Sequence, residues 1–370
     1  MYSESDLDAA IASHILTREQ ATSFRNFVAA GHRTPVVDEE HFRLLTGFND
    51  IFVAIAGAIL LFAVAWIGHA IPPNIDHDGP SPWMGLFVAA TAWGLAEYFT
   101  RERRMALPSI LFLLAFVAGS FGAAAAAIAT GVGARYFDDN PQAVAVTLAV
   151  AAAVGVGAAW LHWRRFKVPI TIAAGAGAAV ALIVFLVASS LAANNMSDAE
   201  EQTLMNALNG VALVLGIGVF LFAMWWDGSD RRRETRRSDV AFWLHLLAAP
   251  LIVHPVFTLL GLTEGAATVM GGVTVILLYV VLGITALAVD RRALLVSALA
   301  YVLYAINNLF QTYGAVELSF ALTALVIGSA LLLLSAFWTD ARRLVVTPLP
   351  EGLQGRLPVL DRVPNLQPAS

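Results

Sequence analysis

The chain has 370 residues, of which 58% are hydrophobic and 13% charged, with a net charge of −5 and a mean hydropathy of +0.72. Soluble globular chains carry roughly one quarter charged residues, so this chain lacks the polar surface to face water on all sides. It has no cysteine, which excludes disulfides, thiolate metal sites and cysteine nucleophiles together.

The first 48 residues are polar enough for water and form a helical N-terminal segment. One helix starts at Ser3 or Ser5. Thr17-Arg18-Glu19-Gln20 reads as a capping box that starts a second, which Gly31 to Pro35 end. Leu7, Ile11, Phe24, Phe27 and Val28 let the two pack as a hairpin. A third helix runs from Asp38 towards the membrane. The first apolar run begins near Ile51, too deep for a secretory leader, and serves as its own insertion signal.

Apolar stretches follow at 50–70, 83–100, 108–133, 143–163, 168–192, 207–227, 240–261, 268–289, 293–313 and 317–338. Each has the length that crosses a hydrocarbon core about 30 Å thick at about 1.5 Å per residue. The expected fold is therefore all-α: a polytopic membrane helix bundle of about ten spans over residues 49–338. The second span is the shortest and is interrupted by Gly85 and Gly94; the third can bend at Gly119 and Gly122.

Arginine placement gives the orientation. The connections after the even-numbered spans hold fifteen basic residues, from Arg101, Arg103 and Arg104 through Arg164, Arg165 and Lys167 to the Arg231–Arg237 cluster, Arg291, Arg292, Arg342 and Arg343. The other connections hold only Arg135. The positive-inside rule puts the first set, and both termini, in the cytoplasm. Lys167 is the single lysine and alanine is abundant, a bias of GC-rich bacterial genomes that points to a bacterial inner membrane. Residues 339–370 form a proline-rich cytoplasmic tail, expected to be extended or disordered.

An internal duplication is visible. Residues 38–83 laid on 198–243 without a gap give ten identities, among them Asp38/Asp198, Glu40/Glu200, Asn49/Asn209, Trp66/Trp226, Gly68/Gly228 and Trp83/Trp243. The halves, about 38–192 and 198–338, hold five spans each. Because five is odd, the second half enters from the opposite face, giving an inverted five-plus-five repeat. Many secondary transporters share that layout, with the site at the repeat interface.

Acidic residues are nearly absent from the span interiors, which counts against a strongly ion-coupled mechanism. Glu97 and Arg101 share a helix face and read as an interfacial ion pair; Asp50, Asp227, Glu264 and Glu317 sit at span ends. Spans 7 and 9 are the polar exceptions. In span 7, Pro250, His254 and Thr258 share a face, and Pro250 and Pro255 are expected to kink or unwind the helix. In span 9, Tyr304, Asn308 and Gln311 line one face. His254 and Asn308 fall at similar depth, about 21–23 Å from the cytoplasmic ends. Two readings stay open: a small-solute site made by His254, Thr258, Tyr304, Asn308 and Gln311, or hydrogen bonds that hold helices together.

Ala151, Gly155 and Ala159, and Gly175 with Ala179, follow the small-xxx-small rule for close helix packing. Asp76-His77-Asp78 reads as a solvated turn, since adjacent residues rarely converge on one metal ion. No phosphate loop, metalloprotease motif or placed nucleophile occurs, so no enzyme, catalytic residue, metal or cofactor is expected.

The N-terminal segment followed by Asp38-Glu39-Glu40-His41-Phe42-Arg43-Leu44-Leu45-Thr46-Gly47-Phe48-Asn49-Asp50 resembles a group of uncharacterised bacterial polytopic inner-membrane proteins. That group also joins a short soluble helical segment to eight to ten spans, and it implies no activity. The five-plus-five layout is similar in architecture to drug/metabolite exporters, without their motifs. The sequence thus leads to two functions: a permease or exporter of a small, uncharged or weakly charged solute, or a non-transporting scaffold, assembly factor or sensor. Expected partners are the lipid bilayer, a small solute, and a cytoplasmic protein met by the N-terminal helices or the tail, with no nucleic acid.

Overall fold

The computed structural model describes residues 10–24, most of 48–261, 269–295 and 337–360, and isolated positions elsewhere. The chain divides into two compact units. The second, Leu44–Leu360, holds every element below except a short helix at 18–24. That helix begins as its sequence predicts: Gln20 N donates to Thr17 Oγ1 at 3.1 Å and Thr17 N donates to Gln20 Oε1 at 2.9 Å.

The described residues of the second unit form helices joined by turns, with no strand among them. In order come α1 (Phe48–His69), α2 (Pro82–Leu95), α3 (Ala106–Val132), α4 (Pro141–Phe166), α5 (Ile170–Leu191), α6 (Asp198–Ser229), α7 (Arg236–Leu259) and α8 (Val269–Val289). A nine-residue helix, Trp338–Val346, and a single turn, Glu351–Gln354, lie near its C-terminal end. Six of these helices (α1, α3, α4, α5, α6 and α7) are long and apolar enough to cross a membrane. The chain is a polytopic helical membrane protein.

Its burial pattern agrees with an apolar solvent. Trp66, Phe62 and Val214 are each at least 66% exposed, whereas many of the fully enclosed positions are small: Ala92, Ala96, Ala151, Ala223, Ala241 and Ala248 are all at 0%, alongside the larger Phe112, Leu113 and Leu244. Lipid tails solvate large side chains as well as a protein interior does, so close backbone approach and polar contacts drive helix association instead. A Cβ on Gly216 of α6 would lie 2.8 Å from the Leu251 backbone of α7, and one on Gly119 of α3 would lie 2.8 Å from the Gly85 carbonyl of α2. Gly155 faces Ala178, and Gly175 faces Ala159, at ordinary contact distance, so the small-xxx-small stripe does join α4 to α5.

Three local expectations change. Gly85 does not interrupt span 2; it lets α3 reach the α2 backbone, and α2 continues into seven residues of wider π-helix, Ala96–Glu102. α7 is not unwound, since helix runs through both Pro250 and Pro255. Neighbouring helices in a membrane tolerate the lost backbone donors. Finally, residues 338–360 are not an extended tail but fold into helix and turns whose carbonyls are bound by arginines.

Capping places the helix starts. Ser197 and Glu200 form a reciprocal capping box at the head of α6, and the Thr235 hydroxyl accepts from Arg237 N at the head of α7. Between α1 and α2, Ser81 Oγ donates to the Ile71 carbonyl at 2.7 Å and Trp83 Nε1 donates to the Pro72 carbonyl at 3.2 Å.

Candidate functional site: a buried charge network

The densest polar chemistry lies where the arginine-rich ends of α6, α7 and α8 meet. The last turn of α6 carries Asp227, which is 1% exposed. Its carboxylate accepts from His245 Nε2 of α7 at 2.9 Å and from the Arg291 guanidinium, through Nε at 3.3 Å and through a closer Nη2 contact. Arg291, just past α8, also donates through Nη2 to the Ser238 carbonyl at 3.1 Å. One carboxylate thus ties three helices together. The His245 imidazole is fully enclosed, with the Phe220 ring 5.3 Å away edge-on. Its Nδ1 has no hydrogen-bond partner among the described residues.

A second carboxylate extends the network. Asp290 accepts from Arg233 Nη1 at 2.9 Å and from Trp338 Nε1 at 2.8 Å, and Arg342 Nε lies 3.7 Å away. Arg233 Nη2 caps the end of α8 by donating to the Val289 and Asp290 carbonyls. Asp230 accepts from the Thr235 amide and hydroxyl and so fixes the turn between α6 and α7. Arg342 donates to the Pro358 carbonyl at 2.7 Å and the Val359 carbonyl at 3.2 Å, while Arg231 donates to the Leu357 and Gln354 carbonyls. Ala249, Ala286, Leu287, Leu294, Leu295 and Trp338 form an apolar layer beside the network. Ionised groups withdrawn from water persist only when paired and hydrogen-bonded, and here buried guanidiniums and carboxylates pair with one another, with Arg342 Nε left without a hydrogen bond among the described residues.

Among the residues expected to form a solute site, His254 lies on an exposed part of α7. One turn further, the buried Thr258 Oγ1 has no hydrogen-bond partner among the described residues. Tyr304, Asn308 and Gln311 lie outside the described residues, as do spans 9 and 10 for most of their length. Glu97 does pair with Arg101 at 3.3 Å, and more closely with Arg165 of α4 at 2.7 Å. His162 is also fully buried, among the rings of Trp93, Phe116 and Phe166, with Nδ1 3.3 Å from the Thr171 hydroxyl. No cluster of three metal-ligating side chains occurs among the described residues.

Reading the sequence alone missed the network. Asp227 stands at a span end, and Arg233, Arg291 and Arg342 were counted as markers of orientation. The available signal was the repeated placement of an aspartate within a few residues of arginine at the ends of spans 6 and 8, with His245 at matching depth in span 7. No protein-family model, curated protein or solved structure matches this chain.

Proposed function

We propose that the protein is a permease or exporter of a small, uncharged or weakly charged solute, and that the charge network is its closed gate at the arginine-rich end. The single observation that carries this reading is the Asp227 carboxylate. It fastens α6, α7 and the exit of α8 through ionic hydrogen bonds set beside the apolar packing of the same helices. Such a joint has two stable arrangements, paired and dry or separated and hydrated, as a gate requires. Within the same proposal the chain has ten spans built as an inverted five-plus-five repeat. It lies in a bacterial inner membrane with both termini and the network on the cytoplasmic side. His254, Thr258, Tyr304, Asn308 and Gln311 then form the solute site between spans 7 and 9, beyond the gate.

The absence of native cysteine makes the test direct. Single cysteines at His254→Cys and at the buried Ala249→Cys are treated in proteoliposomes with a membrane-impermeant maleimide from either side. The expected result is reciprocal reactivity: His254→Cys reacts while the network is intact, and Arg291→Gln slows it while exposing Ala249→Cys to the arginine-rich side. If neither rate moves with the network, the permease reading fails.

One observation favours the second reading, a non-transporting scaffold or sensor. Residues 354–359 are held by arginine side chains through backbone carbonyls, an arrangement that a cytoplasmic partner competing for Arg231 or Arg342 can displace. Failure of the reciprocity test with retention of tail docking leaves this reading standing.

A further inference from the structure

We propose that His245 is a proton-binding site controlling the arginine-rich end, where one proton taken up on Nδ1 releases the clamp around Asp227. This rests on the gate reading above and names the ligand that works the gate.

The hydrogen-bond pattern fixes where the proton can go. The Asp227 carboxylate accepts from Arg291 on one side and from His245 Nε2 on the other, so Nε2 carries the hydrogen of the neutral ring. The basic lone pair is then on Nδ1, which is buried and has no partner among the described residues. Most other groups in the cluster are committed. Arg291 is shared between Asp227 and Ser238, Arg233 and Trp338 are on Asp290, and Thr235 is on Asp230. Among the described residues of the cluster, Nδ1 is the acceptor left open.

The groups around the ring decide what a proton there does. α6 contributes Asp227 and the Phe220 ring, and the residues after α6 contribute Arg233. The exit of α8 contributes Asp290 and Arg291, and the C-terminal helix Arg342. α5, which packs against α7, has no titratable side chain over Ile170–Leu191, and α8 has only Tyr279. A proton moving from water to Nδ1 leaves Asp227 ionised and makes the ring an imidazolium beside Arg291. The new Nδ1–H then faces no acceptor among the described residues, in a ring that is fully enclosed. An orphaned buried donor is costly, and a second cation on one carboxylate weakens the Arg291 contact. Both are relieved when α7 moves away and water enters. Protonation and closure therefore exclude each other, and by linkage whatever favours one disfavours the other. The closed form is retained at neutral and higher pH and is lost as pH falls.

The test uses the full chain in proteoliposomes carrying Ala249→Cys, in the apolar layer beside the network. Maleimide labelling is followed between about pH 8 and about pH 5, across the range where histidine titrates. Each rate is divided by that of a cysteine at the exposed Ser13 (Ser13→Cys), which removes the reagent's own pH dependence. The expected result is a rise of about tenfold on acidification, within the usual range of coupled equilibria. That rise should disappear in His245→Gln, whose amide keeps a donor for Asp227 but has no lone pair that titrates. A flat ratio in the parent overturns the proposal without any His245 variant, so a misfolded His245→Gln cannot rescue it. A rise that persists in folded His245→Gln also overturns it, by putting the proton elsewhere. A flat ratio together with reciprocal labelling of His254→Cys overturns the proton site alone and leaves the permease intact. A His245-dependent rise without that reciprocity supports the proton site and overturns transport.

Discussion

Asp227 and Arg291 show how much one side chain can hold when its surroundings exclude water. Removing a single member of a buried ion pair strands the other, at a cost of about 3–5 kcal/mol. Arg291→Ala should therefore lower stability by that amount in detergent unfolding. The double variant Asp227→Leu/Arg291→Met should recover much of the loss, because no orphaned charge remains. A double variant as unstable as the sum of the singles would show that the two act separately rather than as a pair. Exposed ion pairs behave differently. Glu97 pairs with Arg165 and Arg101 where all three are accessible to solvent, so Arg101→Ala should change stability by less than about 1 kcal/mol.

Among the elements, α6 and α7 meet by close backbone approach at Gly216 as well as by side-chain packing. A methyl group on Gly216 would press on the backbone of Leu251, while Gly218 has open space. Gly216→Ala should cost about 1–3 kcal/mol by overpacking. Gly218→Ala should be neutral or stabilise by up to about 1 kcal/mol through helix propensity. Equal melting temperatures for the two variants would contradict the helix packing described here. At this scale the sequence was largely legible. Apolar length located the stretches that became α1 to α8, and Ala151, Gly155, Ala159 and Gly175 marked close helix packing whose pairing, α4 with α5, the structure supplies. What could not be read was the meaning of exceptions to a local rule. Gly85 and Gly94 look alike in the sequence, yet only Gly85 meets another backbone. Pro250 and Pro255 carry a local helix-breaking signal that the surrounding bundle overrides. The charge network was illegible for a related reason: Arg291 reaches Asp227 across 64 residues and Arg233 reaches Asp290 across 57. No local pattern announces pairings that only the packing of three helices creates.

For the whole molecule, the proposal of ten spans with an inverted repeat makes a topological demand. Reporter fusions after Arg104, Lys167, Arg237, Arg292 and Arg343 should all report the cytoplasm, and a fusion within residues 72–80 should report the opposite side. A single fusion on the wrong side removes the alternation on which the repeat depends. α6 adds a second demand. Its 32 residues span about 48 Å, well beyond a hydrocarbon core of about 30 Å. The polar first turns, with Asp198, Glu200 and Glu201, should therefore stand in water. A cysteine at Gln202→Cys should be labelled by impermeant reagent as fast as a flexible terminus.

The grip of Arg231 and Arg342 on residues 354–359 is made entirely to main-chain carbonyls, and every amino acid carries one. Such a fastening reads distance along the chain rather than spelling. Substitutions at the half-buried Val359 should pass unnoticed in protease-protection assays. Deleting one residue between Val346 and Leu357 should expose the segment to cleavage, because each acceptor then arrives one step out of place. Over evolutionary time, the length of this stretch should stay fixed while its composition drifts outside Gln354, Leu357 and Pro358, whose side chains are themselves bonded or buried.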